Sequence, residues 1–380
     1  MSMQILTNAR MVLADEIICG TIAFSGDAIR DLSRGSVAVP AAEDLEGDFL
    51  LPGLVELHTD HLESHFAPRP GVRWDPLAAV QAHDAQIAGC GITTVFDALR
   101  AGTDHDASGL GGDMKVLAEA IRRGQEQDRL RADHFIHLRC EISAPDVVAE
   151  MTPFIGNRLL RLVSVMDHTP GQRQFVSLDK YREYYQGKSG LSDAAMGTFI
   201  AQRLENHARH AEAGRASVVQ ICRCNRLVLA SHDDATEAHI GEAIAAGVAI
   251  AEFPTTEIAA AAARRAGLSV LMGAPNVVRG GSHSGNVAAG DLAARGLLDI
   301  LSSDYVPISL IGAVFALLRQ VDGMSLPQAV RLVTRNPARA VGFDDRGEIA
   351  IGKRADLVRV RFDGSLPAVR AVWRSGKRIA

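Results

Sequence analysis

The sequence predicts a (β/α)8 TIM-like barrel with a small β domain formed by both ends of the chain. The middle of the chain alternates short apolar strands with helical stretches, which is the pattern of a parallel sheet with crossover helices. About eight such strands occur, the number that a barrel of this kind needs. Both ends carry short strands that are too few to be stable separately. We expect residues 1–52 and 346–380 to form the small domain and residues 53–345 to form the barrel.

The two ends of the chain have the same sequence pattern, in which short apolar runs are separated by Gly, Asn and Asp. Because such residues favour turns, each run is expected to be a strand, and strands from the two ends could pair in one sheet. The expected strands are 4–9, 11–13, 21–24 and 28–32 at the start, and 347–352, 356–362 and 368–374 at the end.

The middle of the chain supplies the predicted barrel strands and helices. The strands are expected at 51–60, 92–97, 134–141, 162–167, 227–231, 248–252, 268–272 and 300–303. Helical periodicity is found at 112–125, 191–213, 237–246, 256–266 and 311–320. Residues 216–225 fit a strand or a helix, and a helix keeps the strand count near eight.

The first barrel strand, Leu51–Asp60, ends in polar residues after a Pro-Gly corner. Side chains alternate across a strand, so His58 and Asp60 project from the same face at its C-terminal end. An imidazole and a carboxylate in this position suit a divalent metal such as zinc. A strand that simply ends in polar residues would look the same, so this pair alone does not decide the matter.

Polar residues also follow the other strands, where barrel enzymes carry their catalytic groups. Each one has an ordinary alternative as a hydrogen-bonded loop residue or a helix cap, but together they form a set of three histidines and three carboxylates. Such a set can hold two divalent ions, with Glu141 as the bridging group. Asp304 would bind one ion and take the proton from the attacking water as general base. The predicted metal ligands are His58, Asp60, Glu141, His168, His232 and Asp304.

Composition excludes several classes of function. The formal net charge of −5 disfavours general nucleic-acid binding, which needs a basic surface. No run is long enough to span a membrane, and the N-terminus has no apolar signal region. Five scattered cysteines suit reduced thiols in the cytoplasm better than a disulfide framework. Whether the chain forms a homo-oligomer stays open.

With these residues in view, the chain resembles the amidohydrolase superfamily over essentially its whole length. Two features depart from the usual pattern. The first-strand motif is His58-Thr-Asp60 instead of His-x-His, and no lysine ends the third or fourth strand, so Glu141 takes the place of a carbamylated lysine. The two later histidines follow strands four and five by our count, whereas much of the superfamily places them after strands five and six. Either a strand is missed or this branch shifts its ligands.

Longer stretches are more specific and resemble one branch of the superfamily, which acts in the carbon–phosphorus lyase pathway of phosphonate metabolism. This resemblance implies a diphosphatase that hydrolyses the 5-triphosphate of a ribose 1-methylphosphonate to the 5-phosphate. The stretches are His58-Thr-Asp-His-Leu-Glu-Ser-His65, Pro68-Arg-Pro-Gly-Val-Arg-Trp74, His137-Leu-Arg-Cys-Glu141, Met166-Asp-His-Thr-Pro-Gly-Gln172, Ala230-Ser-His-Asp-Asp-Ala-Thr236 and Ala251-Glu-Phe-Pro-Thr-Thr256.

An anionic triphosphate substrate needs cationic partners, and arginine binds phosphate oxygens in a bidentate manner. Solvated surface arginines are the alternative for each candidate. Arg139 is the weakest, because it faces inward only if alternation with Glu141 holds. The residues expected to bind this phosphorylated small molecule are Arg69, Arg73, Arg173, Arg279 and His283.

Three functions therefore compete. The leading one is phosphoanhydride hydrolysis that depends on two divalent ions, with zinc favoured and manganese left open. The second keeps the scaffold and cleaves a C–N bond, as a deaminase, deacetylase or cyclic amidase does, because fold does not fix function. The third is a non-catalytic scaffold that has lost its metals, and the complete six-residue set speaks against it.

Overall fold

The computed structural model describes residues 3–102, 111–173, 178–189, 192–282 and 285–380. Its centre is a parallel sheet of eight strands in sequence order, closed by contacts between the last strand and the first and by a bridge between Thr59 and Asp304. Strands are numbered along the chain. The barrel strands are β6 (Leu54–Thr59), β7 (Ile92–Ala101), β8 (Asp133–Glu141), β9 (Leu160–Met166), β10 (Val228–His232), β11 (Ile250–Glu252), β12 (Ser269–Gly273) and β13 (Ile300–Ser302).

This closed order confirms the predicted barrel and resolves the question of strand numbering. Glu141 ends the third strand, Met166 ends the fourth shortly before His168, and His232 ends the fifth. Within the described residues no further strand intervenes, so the chain does place these residues after strands three, four and five.

The barrel strands are almost fully buried, because side chains pack on both of their faces. An inner cluster includes Val55, Leu57, Phe96 and Leu162, and a larger cluster lies between the barrel and its helices. The helices are α1 (Leu62–Phe66), α2 (Pro76–Gly89), α3 (Met114–Glu126), α4 (Val147–Met151), α5 (Leu178–Ser189), α6 (Asp193–Asn225), α7 (Glu237–Ala246), α8 (Glu257–Arg265), α9 (Ala274–Arg279), α10 (Ala289–Ala294), α11 (Ser309–Gln320), α12 (Leu326–Arg331) and α13 (Arg335–Ala340).

The predicted helices are present, and one of them is longer than expected. Residues 216–225 belong to α6, a 33-residue helix that begins at a Ser192 cap and ends at Arg226 in the left-handed conformation. The hydroxyl of Thr236 caps α7 by accepting a hydrogen bond from the backbone N–H of His239. Among the described residues, no helix combines the length and the hydropathy needed to cross a membrane.

The chain ends form a separate sheet, as predicted, although the expected strand at residues 347–352 is not formed. Its order is β16-β15-β14-β5-β1-β2-β3, with β4 paired to β1, so strands from the two ends meet where β14 pairs antiparallel with β5. The exact division at residues 52 and 345 stays a prediction. The strands are β1 (Met3–Val12), β2 (Ile17–Ser25), β3 (Ala28–Arg34), β4 (Ala42–Asp44), β5 (Phe49–Pro52), β14 (Leu357–Arg361), β15 (Ala368–Arg374) and β16 (Lys377–Arg378).

One carboxylate joins the barrel to the C-terminal segment. Asp133, the first residue of β8, forms ion pairs with Arg354 at 2.6 Å and with Arg346 and Arg374 at 3.0 Å each. Burial raises the pKa of Asp133, but the three guanidinium groups outweigh burial and bring it below the usual value of 3.8. The ion pairs therefore stabilise the fold fully above about pH 4, and this contribution is lost as the pH falls through the lowered pKa.

We expect Asp133→Asn to lower the free energy of unfolding by about 2–4 kcal/mol, because it leaves three partly buried arginines without their shared carboxylate. Denaturant unfolding at pH 7 measures this difference, and the difference should shrink at pH 3. Asp128→Asn, at an exposed position, is the matched control and should change stability by less than about 0.5 kcal/mol. Equal stability of the two variants would show that this ion-pair cluster does not hold the segment.

Candidate active site

The six predicted strand-end residues line one cavity at the C-terminal end of the barrel. Its volume is about 370 Å³, and its wall is completed by loops after several strands and by α9. Parallel strands bring their C-terminal ends to the same edge, which explains why residues far apart in sequence meet here. The six are His58, Asp60, Glu141, His168, His232 and Asp304.

Two groups of side chains in this cavity have donor atoms close enough to hold a metal ion. In the first group, ligand atoms of His58, Asp60 and Asp304 all lie within 4.8 Å of one another. Two carboxylates and an imidazole form a donor set that divalent ions such as zinc accept. This group unites the first and last barrel strands, whose ends the Thr59–Asp304 bridge holds together.

The second group consists of His168, His232 and Asp233. Oδ2 of Asp233 lies 3.7 Å from Nε2 of His168 and 3.5 Å from Nε2 of His232. This oxygen is buried and has no hydrogen-bond partner among the described residues. A buried carboxylate oxygen without a partner is costly, and a cation between it and the two ring nitrogens would satisfy it. Sequence analysis missed Asp233, although it directly follows His232.

A buried glutamate, Glu252 at the end of β11, connects the two groups. Its Oε1 lies 3.3 Å from Nδ1 of His58 and its Oε2 lies 3.3 Å from Nδ1 of His232. Burial raises the pKa of Glu252, but the imidazoles of His137 and His58 hold it well below its usual range. The ionised carboxylate accepts both Nδ1–H groups, which leaves both Nε2 atoms free as ligands. Sequence analysis overlooked Glu252, although its place at a strand end was the available signal.

Glu141 is placed differently from the expected bridge between two ions. Nδ1–H of His168 donates to its Oε2 at 2.8 Å, and the hydroxyl of Ser143 donates to its Oε1 at 2.7 Å. It belongs to none of the groups whose atoms converge as a metal site. In this arrangement Glu141 orients His168, and direct metal ligation by Glu141 stays a prediction.

Three residues around the site have left-handed backbone conformations, which non-glycine residues adopt at a cost. Asp233, Phe253 and Asp304 have φ of 57°, 51° and 54°, and each lies just beyond the end of a strand. The turn at Phe253 sets its ring edge-on to His58 at 5.0 Å and to His232 at 5.3 Å. Strained turns therefore aim the two carboxylates and pack an apolar wall against the imidazoles.

The two carboxylates of the first group have unlike electrostatic environments. Burial, followed by the charge of Asp60, raises the pKa of Asp304 to about 7. Burial also raises the pKa of Asp60, but the nearby charges of Arg139, His58 and Arg100 together outweigh burial and leave the net pKa below the usual value. Cations bound at this position would favour the ionised form of both groups.

Comparisons with known proteins identify the family of this chain. A model of the amidohydrolase family matches residues 192–380. The α-D-ribose 1-methylphosphonate 5-triphosphate diphosphatase of Escherichia coli strain K12 is 47% identical over 376 residues, which are 99% of this chain and 100% of that protein. The chain belongs to the amidohydrolase family. Amidohydrolases use divalent metals, which agrees with the donor groups in the cavity.

Solved structures support the amidohydrolase fold. The N-acetyl-D-glucosamine-6-phosphate deacetylase of Mycobacterium smegmatis has a TM-score of 0.64 at 18% identity, over 99% of this chain and 100% of that one. The N-isopropylammelide isopropylaminohydrolase of Burkholderia multivorans has a TM-score of 0.63 at 19% identity, over 100% of this chain and 98% of that one. At such low identity these similarities describe the fold alone.

Among the cationic side chains of this amidohydrolase that reach the cavity, Arg279 was predicted, Arg139 was the weakest candidate and Arg100 was not considered. Arg100, Arg139 and Arg279 line it. Arg139 lies 3.3 Å from Asp60, and Arg100 contacts both carboxylate oxygens of Glu63 at 2.8 Å. Alternation along β8 was the signal for Arg139, whereas Arg100 sits in a strand that reads as apolar.

The other predicted substrate-binding residues do not line the cavity. Arg69 is exposed in a loop, and Arg73 pairs with Asp113 at 2.8 Å. Arg173 is buried and forms ion pairs with Asp234 and Glu242, so its charge supports the fold. His283 lies outside the described residues.

We expect Glu252→Gln to weaken zinc binding about 10-fold to 100-fold, because the variant loses the carboxylate that accepts from two ligand histidines. Titration of chelator-stripped protein with zinc measures the affinity, and circular dichroism checks the fold. Glu237→Gln, at an exposed ion pair, is the matched control. Unchanged affinity in a folded Glu252→Gln protein would remove Glu252 from the site.

Proposed function

We propose that this amidohydrolase hydrolyses the 5-triphosphate of α-D-ribose 1-methylphosphonate 5-triphosphate and releases diphosphate. The observation that carries the proposal is a single cavity in which metal-type donor groups and three arginines meet. The full-length similarity to the Escherichia coli diphosphatase supports the choice of substrate. A highly anionic substrate needs both kinds of partner, because cations and guanidinium groups bind different phosphate oxygens.

We propose two divalent ions as cofactors, with zinc favoured because imidazole and carboxylate donors suit it. His58, Asp60 and Asp304 would hold one ion. His168, His232 and Asp233 would hold the other, where the unpartnered Asp233 oxygen supports the fit. Bound ions of this kind lower the pKa of water and neutralise charge on phosphate oxygens.

The broken linkage is the phosphoanhydride between the α and β phosphates, because the products are the 5-phosphate and diphosphate. The oxygen of water forms a new bond to either the α or the β phosphorus. After attack on the α phosphorus, diphosphate leaves with the bridging oxygen. After attack on the β phosphorus, diphosphate carries the water oxygen and the 5-phosphate leaves with the bridging oxygen. Asp304 takes the proton of the attacking water, since its carboxylate lies in the first group beside the cavity. Its backbone N–H donates to the carbonyl of His58 at 3.1 Å, which holds this base against the adjacent first barrel strand, β6.

Arginine and amide donors take up the charge that develops on the phosphate oxygens. Arg139 is 13% exposed at the cavity floor beside Asp60, and Arg279 ends α9 at the rim. Asn276 and Asn286 line the same side as Arg279. Donors fixed before the reaction need not reorganise during it, which makes them effective in stabilising the transition state.

A cytoplasmic location is part of the proposal. Its support is the presence of five cysteines, Cys19, Cys90, Cys140, Cys222 and Cys224, all of which are free thiols.

The decisive experiment is elemental analysis of protein purified without chelator, coupled to a diphosphate-release assay with the ribose 5-triphosphate. At least two equivalents of zinc or manganese per chain together with diphosphate release would support the proposal. Metal with turnover of cyclic amides or aminopurines, and none of the triphosphate, would overturn it in favour of C–N hydrolysis. Protein free of metal and of activity would favour a scaffold.

We expect Asp304→Asn to lower kcat by about 100-fold to 10,000-fold, because an amide cannot accept the proton of the attacking water. Metal content should stay measurable, since five other donors remain. Steady-state diphosphate release and elemental analysis on the same preparation test both points. Asp291→Asn, at an exposed position of α10, should behave like the wild type. Full activity of Asp304→Asn would reject Asp304 as the base.

We expect Arg279→Met to raise KM about tenfold, because it removes a charge-assisted hydrogen bond to the triphosphate. Arg295→Met, at an exposed ion pair outside the cavity, is the matched control. Initial-rate kinetics over a range of substrate concentrations separate KM from kcat. An equally large rise in KM for Arg69→Met would restore the role that the sequence predicted for that loop.

A further inference from the structure

A cluster of histidines lies outside the central cavity and is used by no step of the proposed reaction. His61 and His65 lie at the start and within α1, and His83 lies on α2. Their ring centroids are 5.1 Å apart for His61 and His65, 6.1 Å for His61 and His83, and 5.9 Å for His65 and His83. None of the three lines the cavity.

The spacing of this cluster is close to that of a three-histidine metal site. Three imidazoles on one tetrahedral ion with Zn–N bonds of about 2 Å place their ring centres about 5 Å apart. His61 and His65 are four residues apart on one helical face, the spacing with which paired histidines bind zinc in helices. The three histidines are not among the groups whose ligand atoms already lie within 4.8 Å of one another, so metal binding requires the side chains of His61 and His65 to move toward His83.

The buried member of the cluster, His83, is oriented like a metal ligand. Its Nε2–H donates to Oδ1 of Asp97 at 2.9 Å, which leaves Nδ1 as the ring nitrogen with a lone pair. This Nδ1 is buried and has no hydrogen-bond partner among the described residues. His83 itself is fully buried, and burial lowers its pKa, so the ring is neutral and competent to bind a cation.

Asp97 is itself held in place from the other side. His134 donates from Nδ1 to Asp97 at 2.7 Å and from Nε2 to Asp84 at 3.3 Å. Both ring nitrogens of His134 are therefore taken, which makes it a charged support and not a ligand. The result is a carboxylate–histidine pair that aims one imidazole, as commonly found behind zinc ligands.

The two partly exposed histidines converge on one point. Nε2 of His61 lies 3.0 Å and Nε2 of His65 lies 3.1 Å from Oε1 of Gln86, which follows His83 by one helical turn. A cation that takes the place of these two hydrogen bonds would reach both nitrogens, and their exposure gives it a path from solvent.

We propose that His61, His65 and His83 form a second binding site for a late first-row divalent ion such as zinc, separate from the catalytic cavity. Three neutral imidazoles suit zinc, copper and nickel and disfavour magnesium and calcium. The ion would tie α1 to α2, and so would stabilise the segment that follows the first barrel strand.

The test compares zinc content in the wild type, a His61→Gln/His65→Gln double variant and a His210→Gln control. His210 is a partly exposed histidine on α6, away from both sites. Each protein is stripped with chelator, loaded with zinc alone and dialysed into metal-free buffer before elemental analysis. The wild type and the control should each retain one equivalent per chain more than the double variant.

A second variant identifies the buried ligand. His83→Gln should lose the same single equivalent, and the double variant decides the matter if His83→Gln does not fold, because it changes only partly exposed side chains. Equal zinc content in the wild type, the control and a folded double variant would overturn the proposal. Because the count is a difference between proteins that share an intact catalytic cavity, this outcome is independent of the proposed reaction.

Discussion

The buried carboxylate of Glu252 is the constraint on which the site depends. Its two oxygens each accept from an imidazole, one on β6 and one on β10, across the barrel. A buried ionised carboxylate is tolerated only when such donors surround it, so the glutamate and the histidines require each other. The consequence is a fixed tautomer for both rings, with Nε2 directed to the cavity. Both proposed ion sites are thus organised by one side chain that does not itself line the cavity.

The turns that follow the strands complete this arrangement at a conformational cost. Asp233, Phe253 and Asp304 lie in the left-handed region, where Cβ is crowded by the following carbonyl oxygen. The surrounding barrel is almost entirely buried, and its packing overcomes that cost. The packing of the barrel therefore holds two carboxylates beside the imidazoles, in positions that an unstrained turn would not give.

The sequence predicted the barrel and the meeting of six polar residues, because both follow from local pattern and from the rule that parallel strands end together. It predicted that Arg279 faces the cavity, but it did not predict Arg100 there, and it placed Arg173 there wrongly. The role of Arg173 depends on Asp234 and Glu242, which come from other parts of the chain and neutralise its charge. Arg100 lies inside a run of apolar residues, so no local signal marks it. Whether an arginine meets a carboxylate depends on the tertiary structure, and the periodicity of the sequence does not show it.

The same limit applies to histidines, and it separates ligands from structural supports. Glu252 and Glu141 take the Nδ1 atoms of three cavity histidines, and Asp97 takes Nε2 of His83. His58, His232 and His83 each keep the ring nitrogen that faces away from the carboxylate. His134 has carboxylates on both nitrogens, so it has no lone pair to give and acts as a buried cation. A histidine can therefore act as a metal ligand only when one of its ring nitrogens is not bound to a carboxylate. Only the folded structure shows which histidines meet this condition.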